Sequence, residues 1–499
     1  MRYAKVPTMT YSESSMYIRG ITILLSVILR IVSIVSLTML LPALVGFIYG
    51  EIAEAQTFLF ISLVSFVISF TLGLLLPAPP SITFTEALFI SGISWVVVAF
   101  LGAIPYVLTI NMSWVDAFFE SMSGFTTTGM TLIKIIEVVP RSVLFWRALT
   151  QWLGGAGIIT LFLVFVMTPT ESISLWRLYV AEAREVRIKP STWATVRSIW
   201  IIYLGYTIAC ILTLRILGLD WFDAIAHSFT ALATGGFSTR TASIAALHNP
   251  AVEMALAFYA FVGGTNFLAH YLLFTFGPKR FFKYYEVKAA LCIIAIATSL
   301  IVFDLTFRLH INVLDALRLA IFQSISIMTT SGYTTADINI WPPLSKFILL
   351  ILMFVGGQLC STGGAIKVGR ITATLKVMVN QLQLLFLPTK TIKPVKLGSQ
   401  VLRYEDTLRL FMFISAYFTG ITVGTLILTA FGYDPFQSLS AVASAQGNVG
   451  PCYLDLFTLN DACKILLALL MWLGRLELIP IITLLIPKQW VIIIKKRIK

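Results

Sequence analysis

The chain has 499 residues, of which 58% are hydrophobic and only 12% charged, against about 25% charged in an ordinary soluble domain. With a mean hydropathy of +0.90 it reads as an integral membrane protein, which excludes the soluble enzyme and binding classes. The formal net charge of +13 does not mark a nucleic-acid partner, because the basic residues collect mainly in five segments: Arg2, Lys5 and Arg19; Arg177, Arg184, Arg187, Lys189 and Arg197; Lys279, Arg280, Lys283 and Lys288; residues 367–403; and the terminal KKRIK. The positive-inside rule places all five, and with them both termini, in the cytoplasm, where membrane lipid headgroups are their natural contacts.

In chain order, about ten apolar runs reach the roughly 20 residues needed to cross a bilayer as helix: 22–49, 55–78, 84–108, 143–168, 193–217, 250–277, 289–307, 345–366, 407–430 and 464–487. Runs this long exclude barrel strands. The first begins near residue 21 without a cleavage signature, so it is expected to be retained as a helix. From residue 84 onward, each interval between basic segments holds two long runs with a shorter apolar stretch between them. These stretches, 116–128, 223–235, 315–331 and 434–449, are too short to span and are expected to be re-entrant half-helices.

The short stretches repeat: DAFFESMSGFTTTGMT, DAIAHSFTALATGGFST, DALRLAIFQSISIMTTSGYTT and DPFQSLSAVASAQGNVGP. Each opens on an aspartate (Asp116, Asp223, Asp315, Asp434), expected to be the helix N-cap, and each ends in small and hydroxyl residues around a glycine. About 25 residues further on, the next long run carries WLGG (152–155), FVGG (261–264), FVGG (354–357) or WLGR (472–475). Close helix packing explains any one of these glycines. It does not explain the same order of markers four times.

Non-helical backbone at membrane depth is tolerated where it is buried in protein or lines a watery cavity. Four glycine-centred breaks, each at the C-terminal, partially negative end of a half-helix, suit a cation pathway lined by carbonyls. No phosphate-binding loop and no H-E-x-x-H motif occurs, and the four histidines are dispersed, so neither an enzyme nor a cofactor site is expected; His227 is expected to be a packing residue. Five scattered cysteines form no framework; Cys452 and Cys463, in one external loop, are expected to be free thiols, the alternative being a disulfide between them.

On these residues the sequence resembles the Trk/Ktr/HKT superfamily of potassium transporters, most closely its TrkH type. SGFTTTGMT, TGGFST, TTSGYTT and GNVGP look like its four filter segments, GGQLCSTGGAIKVGR like its third-repeat gate region and WLGRLE like its fourth-repeat inner helix. The resemblance implies an all-α integral membrane protein of four tandem membrane-pore-membrane repeats around one pore. An extra transmembrane hairpin precedes them, making about ten transmembrane helices plus four re-entrant pore helices. The expected divisions are 1–83 for the hairpin, 84–190, 191–285, 286–400 (with the gate loop 356–365) and 401–499 for the repeats.

It further implies potassium as the transported ion, a homodimer in the cell membrane, and a cytosolic nucleotide-binding regulatory ring of TrkA or KtrA type, for which this chain has no domain. The implied filter residues are Thr127, Thr128 and Gly129; Thr234, Gly235 and Gly236; Thr330, Ser331 and Gly332; and Asn448, Val449 and Gly450, with Gly447 as the alternative fourth glycine. Sodium-selective plant relatives have serine where this chain has Gly129, which favours potassium. A sodium- and potassium-permeable or ion-coupled secondary transporter is the rival reading, although that architecture shows paired halves and here four units run in one sense.

Below the filter, Gly356, Gly357, Gln358, Ser361, Thr362, Gly363 and Gly364 interrupt the second long helix of repeat three, each interior glycine costing about 1 kcal/mol relative to alanine. The family's equivalent segment is a gating loop; a packed kink is the alternative. Arg475 replaces a marker glycine and is expected beside the pore, the alternative being an ion pair with Glu253, because Glu477, two residues on, faces away. Lys367 either joins the gate or marks the cytoplasmic end. Tyr333 is expected to pack outside the bore.

Overall fold

The structure, a computed structural model, describes residues 11–77, 84–167, 192–388, 393–398 and 400–477. Arg2, Lys5, residues 177–189 and the terminal KKRIK, which carry the cytoplasmic placement of both termini, lie outside the described residues, as does the end of the 464–487 run. The described chain is helical apart from turns, connecting loops and a two-residue antiparallel pair, Lys396–Leu397 with Gln400–Val401.

At the N-terminus α1 (Tyr11–Thr38) leads directly into α2 (Leu40–Tyr49), and α3 (Ile52–Leu75) returns along both. Gly50 closes α2 in the left-handed conformation at φ 78°, where glycine escapes the Cβ penalty. Small polar residues join the two arms: Ser33 and Ser69 hydroxyls lie 2.9 Å apart, and Ser62 donates to the Ser36 carbonyl at 2.7 Å, as expected where helices approach closely in lipid.

Four units follow. The first contains α4 (Phe84–Ile110), the short α5 (Trp114–Phe125) and α6 (Arg141–Met167). The second contains α7 (Thr192–Ile216), the short α8 (Trp221–Leu232), α9 (Pro250–Gly264) and α10 (Phe267–Phe276), followed by a connecting turn of helix, α11 (Pro278–Lys283). The third has α12 (Tyr285–Leu309), the short α13 (Val313–Met328), α14 (Pro343–Val355) and α15 (Val368–Leu384). The fourth has α16 (Tyr404–Ala430), the short α17 (Pro435–Gly447) and α18 (Asp461–Arg475).

The ten expected runs do not form ten uniform spans. Among the described residues, six helices are long and apolar enough to cross: Leu24–Tyr49, Ile52–Leu75 and the opening helix of each unit. The run 250–277 is two helices bent by 99°, because Asn266 caps α10 by accepting the Leu268 N–H while its own N–H donates to Gln358 Oε1 at 3.3 Å. The run 345–366 is helical only to Val355. So the outer helices are continuous, whereas the second and third units break their inner ones.

The short helices start earlier than the aspartates suggest. Their N-caps are Ser113, Asp220 and Asn312, whose side chains accept from the N–H of Asp116, Asp223 and Leu314; only Asp434 is itself a cap, accepting from Gln437. Asp116, Asp223 and Asp315 sit inside the first turn, where a carboxylate still meets the positive end of the helix dipole. In sequence, a residue at the cap and one three places later are equally plausible, since both positions favour acids.

The units close on themselves. Each inner helix packs against the short helix of the next unit: α6 on α8, α9 on α13, α14 on α17 and α18 on α5. Large apolar side chains such as Leu75, Ile216, Phe307 and Leu426 are exposed on the periphery, while Thr127, Thr234, Thr330 and Asn448 are fully buried. That is the reverse of a soluble core and fits an exterior solvated by lipid.

Candidate functional site

The four short helices end the same way. The N–H groups of Thr128, Gly235, Ser331 and Val449 donate to the carbonyls of Ser123, Thr230, Ser326 and Ser444 at 2.8–2.9 Å, the bond that terminates a helix when the preceding residue is left-handed. That residue is Thr127, Thr234, Thr330 or Asn448, at φ 53°, 50°, 63° and 54°. Asparagine tolerates this region, but three β-branched threonines there are outliers, a strain of about 1–3 kcal/mol each that gathers at functional sites.

Two residues on, Gly129, Gly236, Gly332 and Gly450 are also left-handed, at φ 86°, 75°, 71° and 108°. A Cβ on Gly129 would lie 2.1 Å from the Gly235 carbonyl oxygen, on Gly236 1.9 Å from that of Ser331, on Gly332 2.0 Å from that of Val449, and on Gly450 2.7 Å from that of Thr128. Each glycine thus abuts the carbonyl just before the next unit's glycine, and the fourth returns to the first. Gly450 holds the fourth place in this ring; Gly447 is the last residue of α17.

The surrounding packing is unequal. Asn448 Nδ2 donates to Thr128 Oγ1 at 3.0 Å, joining units four and one. The Tyr333 side chain turns away from the ring and is buried against α8, its hydroxyl beside Thr230 Oγ1 and donating to the His227 carbonyl at 3.2 Å. His227 is a packing residue whose ring contacts the Asp223 carbonyl (2.8 Å) and Ser238 Oγ (3.0 Å).

Beneath the ring, the marker glycines let the inner helices touch the short helices. A Cβ on Gly154 would lie 2.1 Å from the Phe125 carbonyl oxygen, on Gly263 2.4 Å from that of Leu232, and on Gly474 1.8 Å from that of Gln446. In unit three the helix has already ended, and residues 356–367 form a loop. Its base is closed by the Lys367 N–H donating to the Val355 carbonyl (2.9 Å) and that of Val368 to Gly357 (2.9 Å).

The top of the loop is bonded to the ring segments themselves. Thr234 Oγ1 donates to Thr362 Oγ1 (3.0 Å), the Gly364 N–H donates to Thr330 Oγ1 (2.9 Å), and Thr362 Oγ1 donates to the carbonyls of Leu232 (3.0 Å) and Gly263 (2.9 Å). Gln358 N–H reaches the Gly264 carbonyl at 2.8 Å, Ser361 folds back on Gln358 O at 2.6 Å, and Gly363 passes close to the Thr329 carbonyl. Gly356 ends α14 at φ 73°.

Arg475 is buried and pairs with no carboxylate among the described residues. It donates to the Thr362 carbonyl (2.6 Å) and to the Gly154 carbonyl (2.8 Å), so it ties the loop to unit one. Glu253, the alternative partner, faces Arg318 at 3.8 Å. Lys367 is buried, its ammonium 2.8 Å from Glu477, which also pairs with Arg370. Glu477 lies just past the end of α18 at a left-handed φ of 56°, and its carboxylate reaches Arg370 of α15 and Lys367, the residue before that helix.

Several participants were not anticipated. Ser123, Thr230, Ser326 and Ser444 each precede a ring glycine by six residues, a fixed offset visible in the alignment. Their hydroxyls reach Met130 O, Ala226 O, Tyr333 O and, as acceptor, the Gly450 N–H. The buried pair Glu120 and Arg147 (2.9 Å) and the buried Gln151 break the fourfold pattern, and nothing in the repeat announces them. Glu286, which accepts the Leu359 N–H at 3.0 Å, is likewise invisible in sequence. Cys452 and Cys463 are both free.

Residues 58–491 match the family model described as TrkH, cation transport protein. The chain is 33% identical to the Trk system potassium uptake protein TrkH of Vibrio parahaemolyticus, covering 93% of this chain and 99% of that one. It is 32% identical to the TrkH of Escherichia coli K12, covering 95% and 100%, and 33% identical to an uncharacterized cation transporter of Methanocaldococcus jannaschii, covering 94% and 95%. The crystal structure of the potassium transporter TrkH from Vibrio parahaemolyticus superposes with a TM-score of 0.85 at 31% identity, over 95% of this chain and 99% of that one.

Proposed function

Because this chain belongs to the TrkH family of cation transport proteins, which are transporters and not enzymes, we propose that it takes up potassium across the cell membrane through one pore. The observation that carries this reading is the closed ring in which each of four left-handed glycines faces a carbonyl of the next unit. A left-handed residue, one of ordinary handedness and a left-handed glycine in succession turn consecutive carbonyls to one side, where they can replace a cation's water shell. Four such strands, from Thr127 to Gly129, Thr234 to Gly236, Thr330 to Gly332 and Asn448 to Gly450, form the filter. The four short helices aim their negative dipole ends at the same axis.

Residues 356–364 are the gate. Bonded to Thr234 and Thr330 above and locked by Arg475 at Thr362, the loop lies across the exit of the filter, and conduction requires it to leave. The chain works as a homodimer in the cell membrane, termini in the cytoplasm, its basic loops docking a cytosolic nucleotide-binding ring.

The test is rubidium and potassium flux into liposomes. Wild-type protein passes both in preference to sodium, and Gly332→Ser lowers that preference. Saturable uptake tied to a proton or sodium gradient would replace the channel reading with a coupled transporter.

A further inference from the structure

Gly235 is a glycine without a backbone reason. It has no left-handed φ, unlike its neighbour Gly236, and the matching positions in the other units carry side chains: Thr128, Ser331 and Val449. What excludes a side chain at Gly235 is Gln151 of α6. A Cβ there would lie 2.3 Å from Gln151 Cδ, 2.4 Å from its Oε1 and 2.8 Å from its Nε2.

The amide that takes this space uses both its ends on one strand. Gln151 Nε2 donates to the Gly235 carbonyl at 2.7 Å, and the Phe237 N–H donates to Gln151 Oε1 at 3.1 Å, so the side chain brackets Gly236. One helical turn earlier Arg147 donates to the Ser238 carbonyl at 3.1 Å, extending the brace to a third backbone atom. The residues that precede the marker in the other units are Ala260, Met353 and Met471, none of which can donate. Among the described residues, only in the second quarter is a ring carbonyl shared with a side-chain hydrogen-bond donor, which lowers the negative charge it offers to anything else.

Resting on the filter reading above, we infer that Gln151 is a specificity-positioning residue, and that it and Gly235 are one unit: the amide fills the absent side chain, fixes the second strand and makes one carbonyl of four a weaker cation ligand. Gly235 is thereby distinct from the four ring glycines. They answer to dihedral angle, and it answers to Gln151.

A double-mutant cycle in liposomes tests this, reading rubidium flux and the potassium-to-sodium flux ratio. Gly235→Ser, which collides with Gln151, lowers flux at least tenfold. Gln151→Ala preserves flux within threefold but changes the ion ratio at least threefold. The double variant recovers flux to within threefold of Gln151→Ala. Gln151→Met, which keeps bulk without the amide, changes the ratio as Gln151→Ala does; an unchanged ratio would show that only volume matters and would overturn the donor role.

Where Gly235→Ser does not purify as a monodisperse protein, recovery of monodispersity by the double variant is the supporting result. No recovery overturns the inference. Gly332→Ser, in the third strand, separates the two readings. If it alters selectivity while the cycle shows no coupling, only the inference fails; if it is silent, the filter itself fails.

Discussion

At the level of the ring, the four units contribute the same backbone conformation and the same glycine-to-carbonyl contact; one helical turn lower they share little. There, α6, α9 and α18 each press a glycine against a short helix, while unit three supplies a loop and unit four adds Arg475. The difference separates two kinds of specification. The upper layer is fixed by main-chain atoms, which repeat whatever the side chains are, and the lower layer by side-chain bonds particular to each unit. Substitutions in the upper layer therefore have no alternative packing to adopt, whereas those in the lower layer shift a balance between arrangements.

The comparison would break most visibly at Gly236. Alanine there combines a left-handed φ of 75° with a Cβ only 1.9 Å from the Ser331 carbonyl oxygen, and both atoms belong to backbone that cannot swing away. Gly236→Ala is expected to remove measurable rubidium flux or to prevent purification, a cost above about 4 kcal/mol. Gly447→Ala, whose φ is helical and whose Cβ would meet the Met353 carbonyl oxygen at 2.9 Å, is expected to lose less flux than Gly236→Ala. Equal losses at the two positions would mean that the ring is not the special layer.

Second in size is the ion triad below the loop. Glu477→Gln leaves Lys367 and Arg370 buried without their shared carboxylate, and breaking a buried pair in this way costs about 3–5 kcal/mol. The expected result is a large fall in the detergent melting temperature. Replacing all three together, as Lys367→Met, Arg370→Leu and Glu477→Leu, is expected to lose much less. If the single and triple variants melt alike, the triad does not anchor α15 to the end of α18.

Smaller still is the effect of Arg475→Ala. It removes two bonds to carbonyls, Thr362 and Gly154, without unpairing another charge, and is expected to raise flux several-fold at an almost unchanged ion ratio. Thr362→Val, which loses the hydroxyl contacts to Thr234, Leu232 and Gly263, is expected to act in the same direction. A changed ratio with unchanged flux would assign these residues to the upper layer.

The two layers were also unequally legible. The ring glycines and the loop glycines stand out because no side chain substitutes for them, and an order repeated four times is visible without any contact. One feature misled in register: Asp116, Asp223 and Asp315 look like caps, yet the caps lie three residues earlier. The bend at Thr265 was hidden because FLAHYLLFTF is as apolar as any spanning segment, and only the partnership of Asn266 with Gln358 breaks it. Gln151, Glu120 and Arg147 were not legible at all, since all three depart from the repeat and Gln151 and Arg147 act across units. The ion partner of Lys367 was not legible, because Glu477 is 110 residues away in sequence.

The smallest expected effect lies outside both layers and marks where the comparison stops applying. In the loop between the first ring segment and α6, the Glu137 carboxylate accepts the Thr241 N–H at 2.8 Å and the Thr241 hydroxyl, and that hydroxyl accepts the Ile136 N–H at 2.9 Å. These bonds, the hydroxyl one first, hold the carboxyl below its ordinary pKa of 4.5. A group whose folded pKa is depressed stabilises the fold fully above its unfolded pKa and loses that contribution as pH falls through the folded value. Glu137→Gln is therefore expected to lower the melting temperature at pH 7 by at most about 2 °C, because the pair is exposed. The difference from wild type should shrink below about pH 4.5, with flux unaltered. A difference that persists at pH 3 would mean that the loop is held by shape and not by the ionised carboxylate.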